Sequence, residues 1–161
     1  MKNALICSLL ILILSPGIAA PPGEITFDTI SISADEAIED ERPGILHFDG
    51  HFLMQSSDWQ LVSSKATVYG NPNKPDRVYL EGSPAHFLVH QSGDATRGSV
   101  EASASVVEYQ RIANTLTLSG TAILKLDDEI IRSTIIEYDI GTQRYRAGGN
   151  DCVMIEVPSV D

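Results

Sequence analysis

The sequence predicts an all-β chain, and three observations carry that prediction. Beyond the first twenty residues apolar and polar side chains alternate. No segment sustains the i, i+3, i+4, i+7 spacing of an amphipathic helix. Three stretches resemble one another in order and spacing, which points to a repeat-built architecture. At 161 residues, 43% hydrophobic and 20% charged, the chain is expected to form one modest core rather than a disordered polymer.

The elements follow in chain order. Lys2 precedes an apolar run from Ala4 to Leu14, then Ser15, Pro16, Gly17 and small residues. That layout reads as a secretory signal peptide over residues 1–19, with cleavage after Ala19 or Ala20. Eleven residues as a helix span about 16 Å against a hydrocarbon core of roughly 30 Å, so a retained membrane anchor is the weaker alternative. Cleavage leaves 10 Lys and Arg against 22 Asp and Glu, a net charge of −12, and Cys152 as the remaining cysteine. No internal disulfide is then available, and Cys152 is expected to act as a small apolar strand residue near the C-terminus. The charge excludes sequence-independent binding to nucleic acid and opposes an anionic membrane surface.

The domain is expected over residues 25–157, with a tail at 158–161. Its first rung runs from Ile45 to Tyr69, the second from Val78 to Tyr109 and the third from Thr115 to Tyr138, with a partial fourth after them. Each is a strand, a polar turn and a second strand. The turns carry Ser56-Ser57-Asp58, Ser92-Gly93-Asp94 and Asp127-Asp128-Glu129. Leu46, Phe48, Gly50, Phe52 and Met54 form one face of the first strand, while His47, Asp49, His51 and Gln55 form the other. Leu116, Leu118, Gly120, Ala122, Leu124 and Leu126 repeat the pattern in the third. A glycine recurs inside every first strand, at Gly50, Gly82 and Gly120. Since glycine weakens a ladder, its recurrence needs a cause, and a bend that folds each strand into two facing layers is the one expected. In the second rung Pro84 and Ala85 shift the inward set from Val78 and Leu80 to Ala85, Phe87 and Val89, as a bulge would.

With these residues in place, the chain resembles the LptA/OstA-like family of lipopolysaccharide-transport proteins. Ile32-Ser33-Ala34-Asp35 is similar to the family's Ser-Ala-Asp opening, and Phe48-Asp49-Gly50-His51-Phe52 to its first repeat. Gly82-Ser83-Pro84-Ala85-His86-Phe87 is similar to the second and Ser119-Gly120-Thr121-Ala122-Ile123-Leu124 to the third. The second strands carry Ser63-Ser64, Ala104-Ser105 and Ser133-Thr134 where the family often has Gly-Asp or Ala-Asp. The resemblance covers about residues 30–149. It implies a slit-like β-jellyroll of stacked antiparallel strands with open ends, placed in the periplasm, that holds the acyl chains of lipid A. The groove lining it implies is Phe48, Phe52, Met54, Leu80, Phe87, Leu118 and Leu124. In a closed sandwich those same positions would simply be core, because alternation does not distinguish a filled interior from a slit. The partners implied are lipopolysaccharide, an LptC-like inner-membrane jellyroll and an LptD-like outer-membrane jellyroll.

Open sheet ends expose unpaired backbone groups that template strand addition. The expected edges are Thr26–Ser33 and Cys152–Val157, with Ile30, Ile32, Val153 and Ile155 as contacts to partners or to further copies joined head to tail. The alternative is an edge capped by its own terminus.

No cofactor or metal is expected. His47 and His51, like His86 and His90, lie four apart, which in a strand is about 13 Å and too far for both to bind one ion. His51 and His86 could meet across neighbouring rungs, but two ligands make no site. There is no Gly-x-Ser-x-Gly, no His-x-His and no phosphate-cradling loop, so the chain reads as a non-enzyme. The acidic groups of Asp35–Glu41 and Asp127–Glu129 read as solvated charge. Arg144 and Arg146, the closest basic pair, read as strand-face arginines rather than a phosphate clamp. A protein-contact adaptor of the same fold, its groove packed shut, is the contrasting function.

Overall fold

A computed structural model describes residues 29–89, 99–150 and 152–157. The expected signal peptide, the start of the domain at residue 25, the turn at Ser92-Gly93-Asp94, His90 and the tail at 158–161 lie outside the described residues.

Among the described residues ten strands form one antiparallel sheet: β1 (Ser31–Ser33), β2 (Glu36–Glu39), β3 (Ile45–Gln55), β4 (Trp59–Asn71), β5 (Lys74–Val89), β6 (Val100–Gln110), β7 (Thr115–Leu126), β8 (Glu129–Asp139), β9 (Arg144–Gly148) and β10 (Met154–Glu156). The path runs β1-β3-β4-β5-β6-β7-β8-β10, with β2 also on β3 and β9 also on β8. The three expected rungs are therefore β3–β4, β5–β6 and β7–β8. The two ends of the sheet each carry a pair of short strands, β1 with β2 and β9 with β10.

Every long strand is interrupted near its middle. The ladders shift register between Asp49 and Phe52, Val62 and Lys65, Glu81 and Ala85, Ser103 and Val106, and Ser119 and Ala122. These interruptions line up into a crease that divides the sheet into two leaves. One leaf holds β2, β9 and the segments 45–49, 65–71, 74–81, 106–110, 115–119 and 135–139. The other holds β1, β10 and the segments 52–55, 59–63, 85–89, 100–104, 122–126 and 129–133.

Two contacts show that the leaves face each other. Phe48 and Phe52 lie four residues apart, about 13 Å in a straight strand, yet their ring centroids are 5.1 Å apart. Tyr145 pairs with Tyr138, which lies nine residues along β8 from Glu129, about 30 Å if the strand ran straight. The Tyr145 hydroxyl nevertheless donates to Glu129 Oε1 at 2.7 Å. Only a strand folded back on itself allows both, and the result is a slit-like jellyroll with a crease on one side and a mouth, lined by hairpin turns, on the other.

The crease has a chemical cause. Gly50 and Gly120 sit at φ +74° and +73°, followed by His51 at +46° and Thr121 at +51°. Two successive left-handed residues reverse the pleat, and a side chain at the first of them would be strained. Gly82 does the same work differently. Its φ is not left-handed, and an added Cβ would lie 2.7 Å from the Ala85 nitrogen, a close backbone approach that only glycine allows. The side chains opposite the glycines then satisfy backbone groups that the ladder loses. Ser63 Oγ donates to the Lys65 carbonyl at 2.7 Å, Ser64 Oγ to the Glu81 carbonyl at 2.9 Å and Ser133 Oγ to the Gly148 carbonyl at 2.7 Å.

Candidate functional site

The interior between the leaves is the candidate site, and strand register shows how it is assembled. One apolar row crosses the first leaf through Ala37, Phe48, Ala66, Leu80, Val107, Leu118, Ile136 and Ala147. A parallel row crosses the second leaf through Ile32, Met54, Leu61, Phe87, Ala102, Leu124, Ile131 and Ile155. Each row runs from one sheet edge to the other without a charged member. Alternation along each strand puts the charged residues on the outside, apart from Glu129 at the mouth.

All seven residues expected to line a groove belong to this interior. Phe52, Met54, Leu118 and Leu124 have no exposed surface, Leu80 and Phe87 retain 1% and Phe48 retains 9%. Val78 and Leu116, read as inward from the alternation, are buried with them; the sequence reading did not place Trp59, Leu61, Val68, Tyr109, Ile131, Ile136 and Tyr138 in the interior, and they are buried as well. Their alternation is equally regular, and naming them required knowing which face of each second strand turns inward past the crease. Burying a side chain of this size contributes about 1.5–3 kcal/mol. The leaves are therefore held together by their own packing.

The mouth of the slit is more polar. The Tyr138 hydroxyl has its pKa raised, first by burial and then by the charges of Asp127 and Asp139. Tyr145 is raised first by its bond to Glu129 and then by burial. Asp127 and Glu129 belong to the opposite lip from both tyrosines. The turn acids expected to be merely solvated thus include one group, Glu129, that bonds across the mouth.

The outer face carries separate polar clusters. Asp40 accepts from Arg42 Nε at 3.1 Å and pairs with His47 Nε2 at 2.9 Å, and the other His47 nitrogen lies 3.2 Å from Thr67 Oγ1. Arg42 and then His47 hold the Asp40 carboxyl well below the usual carboxylate range. His51 pairs with Asp35 at 2.7 Å. Lys65, 2.6 Å from Asp49, has its pKa raised by that carboxylate. A cleft of about 260 Å³ beside these groups is lined by Glu36, Asp49, Lys65 and Glu81 together with Ile38, Phe48 and Ala66, so its walls are part charged and part apolar. His51 and His86 do not meet, because β4 lies between their strands. No cluster of three metal-ligating side chains occurs among the described residues.

At the edges, Ile30 and Ile32 pack against the core, and Ile32 pairs with Met54. Val153 and Ile155 are 40% and 52% exposed, beside Met154 at 55% and Val157 at 70%. Cys152 is exposed and precedes β10, which corrects its expected place as an apolar strand residue. It lies in the link between β9 and β10, outside any strand, where it is exposed. Arg144 and Arg146 extend from β9 into solvent, as strand-face residues do, opposite Asp139 and Glu137.

Comparison with known proteins bears on what such an interior is for. The family model described as LptA/(LptD N-terminal domain) LPS transport protein matches residues 31–144. Among solved structures, the chain is similar to LptH, described as the LptA homologous periplasmic component of the conserved lipopolysaccharide transport device from Pseudomonas aeruginosa. The TM-score is 0.74 at 18% identity, over 86% of this chain and 100% of that one, a likeness of fold. No curated protein sequence matches significantly.

Proposed function

The chain belongs to the LptA/LptD N-terminal-domain family of lipopolysaccharide transport proteins, and from that premise we propose that it is a periplasmic carrier. It shields the acyl chains of lipid A between its leaves on the way from the inner to the outer membrane. The observation that carries this reading is the pair of uncharged apolar rows running from edge to edge of the sheet. Exposing one acyl chain of about fourteen carbons to water costs on the order of 10 kcal/mol, at ~0.8 kcal/mol per methylene. A continuous apolar slit removes that cost along its whole length. The net charge, −11 for the full chain and −12 after the expected cleavage, opposes an anionic cargo, so affinity rests on the apolar interior and release is easy.

The same reading assigns the edges to partners, an LptC-like jellyroll on the inner-membrane side and an LptD-like one on the outer-membrane side. Further copies could join head to tail through the same strands. β1 and β10 each have one neighbour among the described strands, and an edge with a free row of backbone groups accepts another strand. No step of chemistry is assigned to the protein; it works by binding.

A second reading, an envelope adaptor that acts through protein contacts alone, is favoured by one observation. The interior side chains are already buried against each other, most of them to 2% exposure or less. Photo-crosslinking residues placed at Phe52 and Leu118 in living cells separate the two. Labelling of lipopolysaccharide at both positions is the expected result, and protein-only labelling or none at either would establish the adaptor.

A further inference from the structure

The leaves are joined along the crease by continuous backbone, but among the described residues of the mouth they are joined only by side chains and packing. A lipid entering the slit from the side must part the two lips there. At the β8–β9 end, the Tyr145 hydroxyl of one lip donates to Glu129 Oε1 of the other at 2.7 Å. Tyr145 is half-buried, with its ring packed against the core and its hydroxyl reaching across the slit. Glu129 is half-buried at the start of β8, in register with Leu126, so it continues an otherwise apolar inward row, through Val100 and Val89, to Trp59. A carboxylate in that row faces the path of an acyl chain and has no apolar reason to be there. Its role is explained by the hydroxyl that it receives.

We propose that Tyr145 and Glu129 form a latch that holds the mouth of the slit closed at its C-terminal end and opens when cargo enters. Asp127 lies close enough to Tyr138, again across the mouth, to raise its pKa after burial has done so. The two lips are therefore near each other over more than one residue. A single hydrogen bond to a charged group suits a latch, being strong enough to bias the closed state and weak enough to be exchanged for a partner or for water. The proposal rests on the carrier reading for its purpose, but its geometry can be tested without lipid.

The test uses the mature chain with Cys152→Ser, spin-labelled at Asp128→Cys and Thr142→Cys, one exposed turn position on each lip. The original chain should give one narrow distance distribution. Tyr145→Phe, which loses the donor and keeps the ring, should broaden it and shift it outward. Glu129→Gln, which keeps an acceptor, should stay narrow. In parallel, uptake of a fourteen-carbon fatty acid bearing an environment-sensitive fluorophore should be about tenfold faster in Tyr145→Phe, the factor for about 1.4 kcal/mol of closed-state stabilisation. An unchanged distance distribution in folded Tyr145→Phe would overturn the latch. If that distribution widens while no variant takes up the probe, the latch stands and the carrier reading fails.

Discussion

Replacing Gly120 by alanine tests the account of the crease most directly. At φ +73° an L-residue carries a backbone penalty of about 1–2 kcal/mol. The new Cβ would also lie 3.0 Å from Ser105 Oγ and 3.1 Å from its Cβ, so Ser105 must give by a few tenths of an ångström. Together these put the cost at about 2–3 kcal/mol. For a domain of this size that lowers Tm by roughly 6–10 °C. Gly148→Ala is the control, since Gly148 is not left-handed and nothing lies within 4 Å of its added Cβ. It should change stability by less than about 1 kcal/mol, with a gain as easy to accommodate as a loss. Urea titration followed by far-ultraviolet circular dichroism measures both. In a Ser105→Gly background the contact disappears, and the cost of Gly120→Ala should fall to its backbone part of about 1–2 kcal/mol. Equal effects of Gly120→Ala and Gly148→Ala would refute the claim that the left-handed glycine makes the crease.

Three further outcomes are expected. Leu118→Ala, at a fully buried position, should cost about 2–5 kcal/mol in the same titration, and a cost under 1 kcal/mol would mean that the slit is loosely filled. Asp40 has its pKa lowered in the folded chain from an ordinary 3.8, so its contribution to stability is present above pH 3.8 and is lost as pH falls below that value. Carboxyl carbon shifts followed by NMR should show Asp40 still ionised where free carboxyls have titrated, and Arg42→Ala should move its midpoint upward. Ile155→Pro should abolish capture of one jellyroll partner while leaving the circular dichroism spectrum of the monomer unchanged; full capture would place that interface elsewhere.

The interior was legible in the chain to an unusual degree. Period-2 alternation at Phe48, Phe52, Leu118 and Leu124 points the right side chains inward because a strand has no other way to separate its faces. The shift at Pro84 and Ala85 was legible for the same reason, since a bulge moves the inward set by a countable number of residues. The serines of the crease were not. Ser63, Ser64 and Ser133 look like a loss of motif until the carbonyls they bond are known, and those carbonyls belong to residues 2, 17 and 15 positions away. The histidines were half legible. Their spacing excludes a shared ion, but their pairing with Asp40 and Asp35 depends on how β2 and the bend before it lie along β3.

By itself the sequence determined an acidic, repeat-built all-β chain with a bend at each recurring glycine. Composition, alternation and glycine placement are local properties, and they act on the backbone wherever the segment lies. Only the tertiary structure decided how tightly the leaves close, because that depends on the sum of packing between rows contributed by eight different strands. It also decided the contact between Tyr145 and Glu129. Sixteen residues separate them in sequence, and nothing nearer than the fold of β8 back over itself brings them within reach.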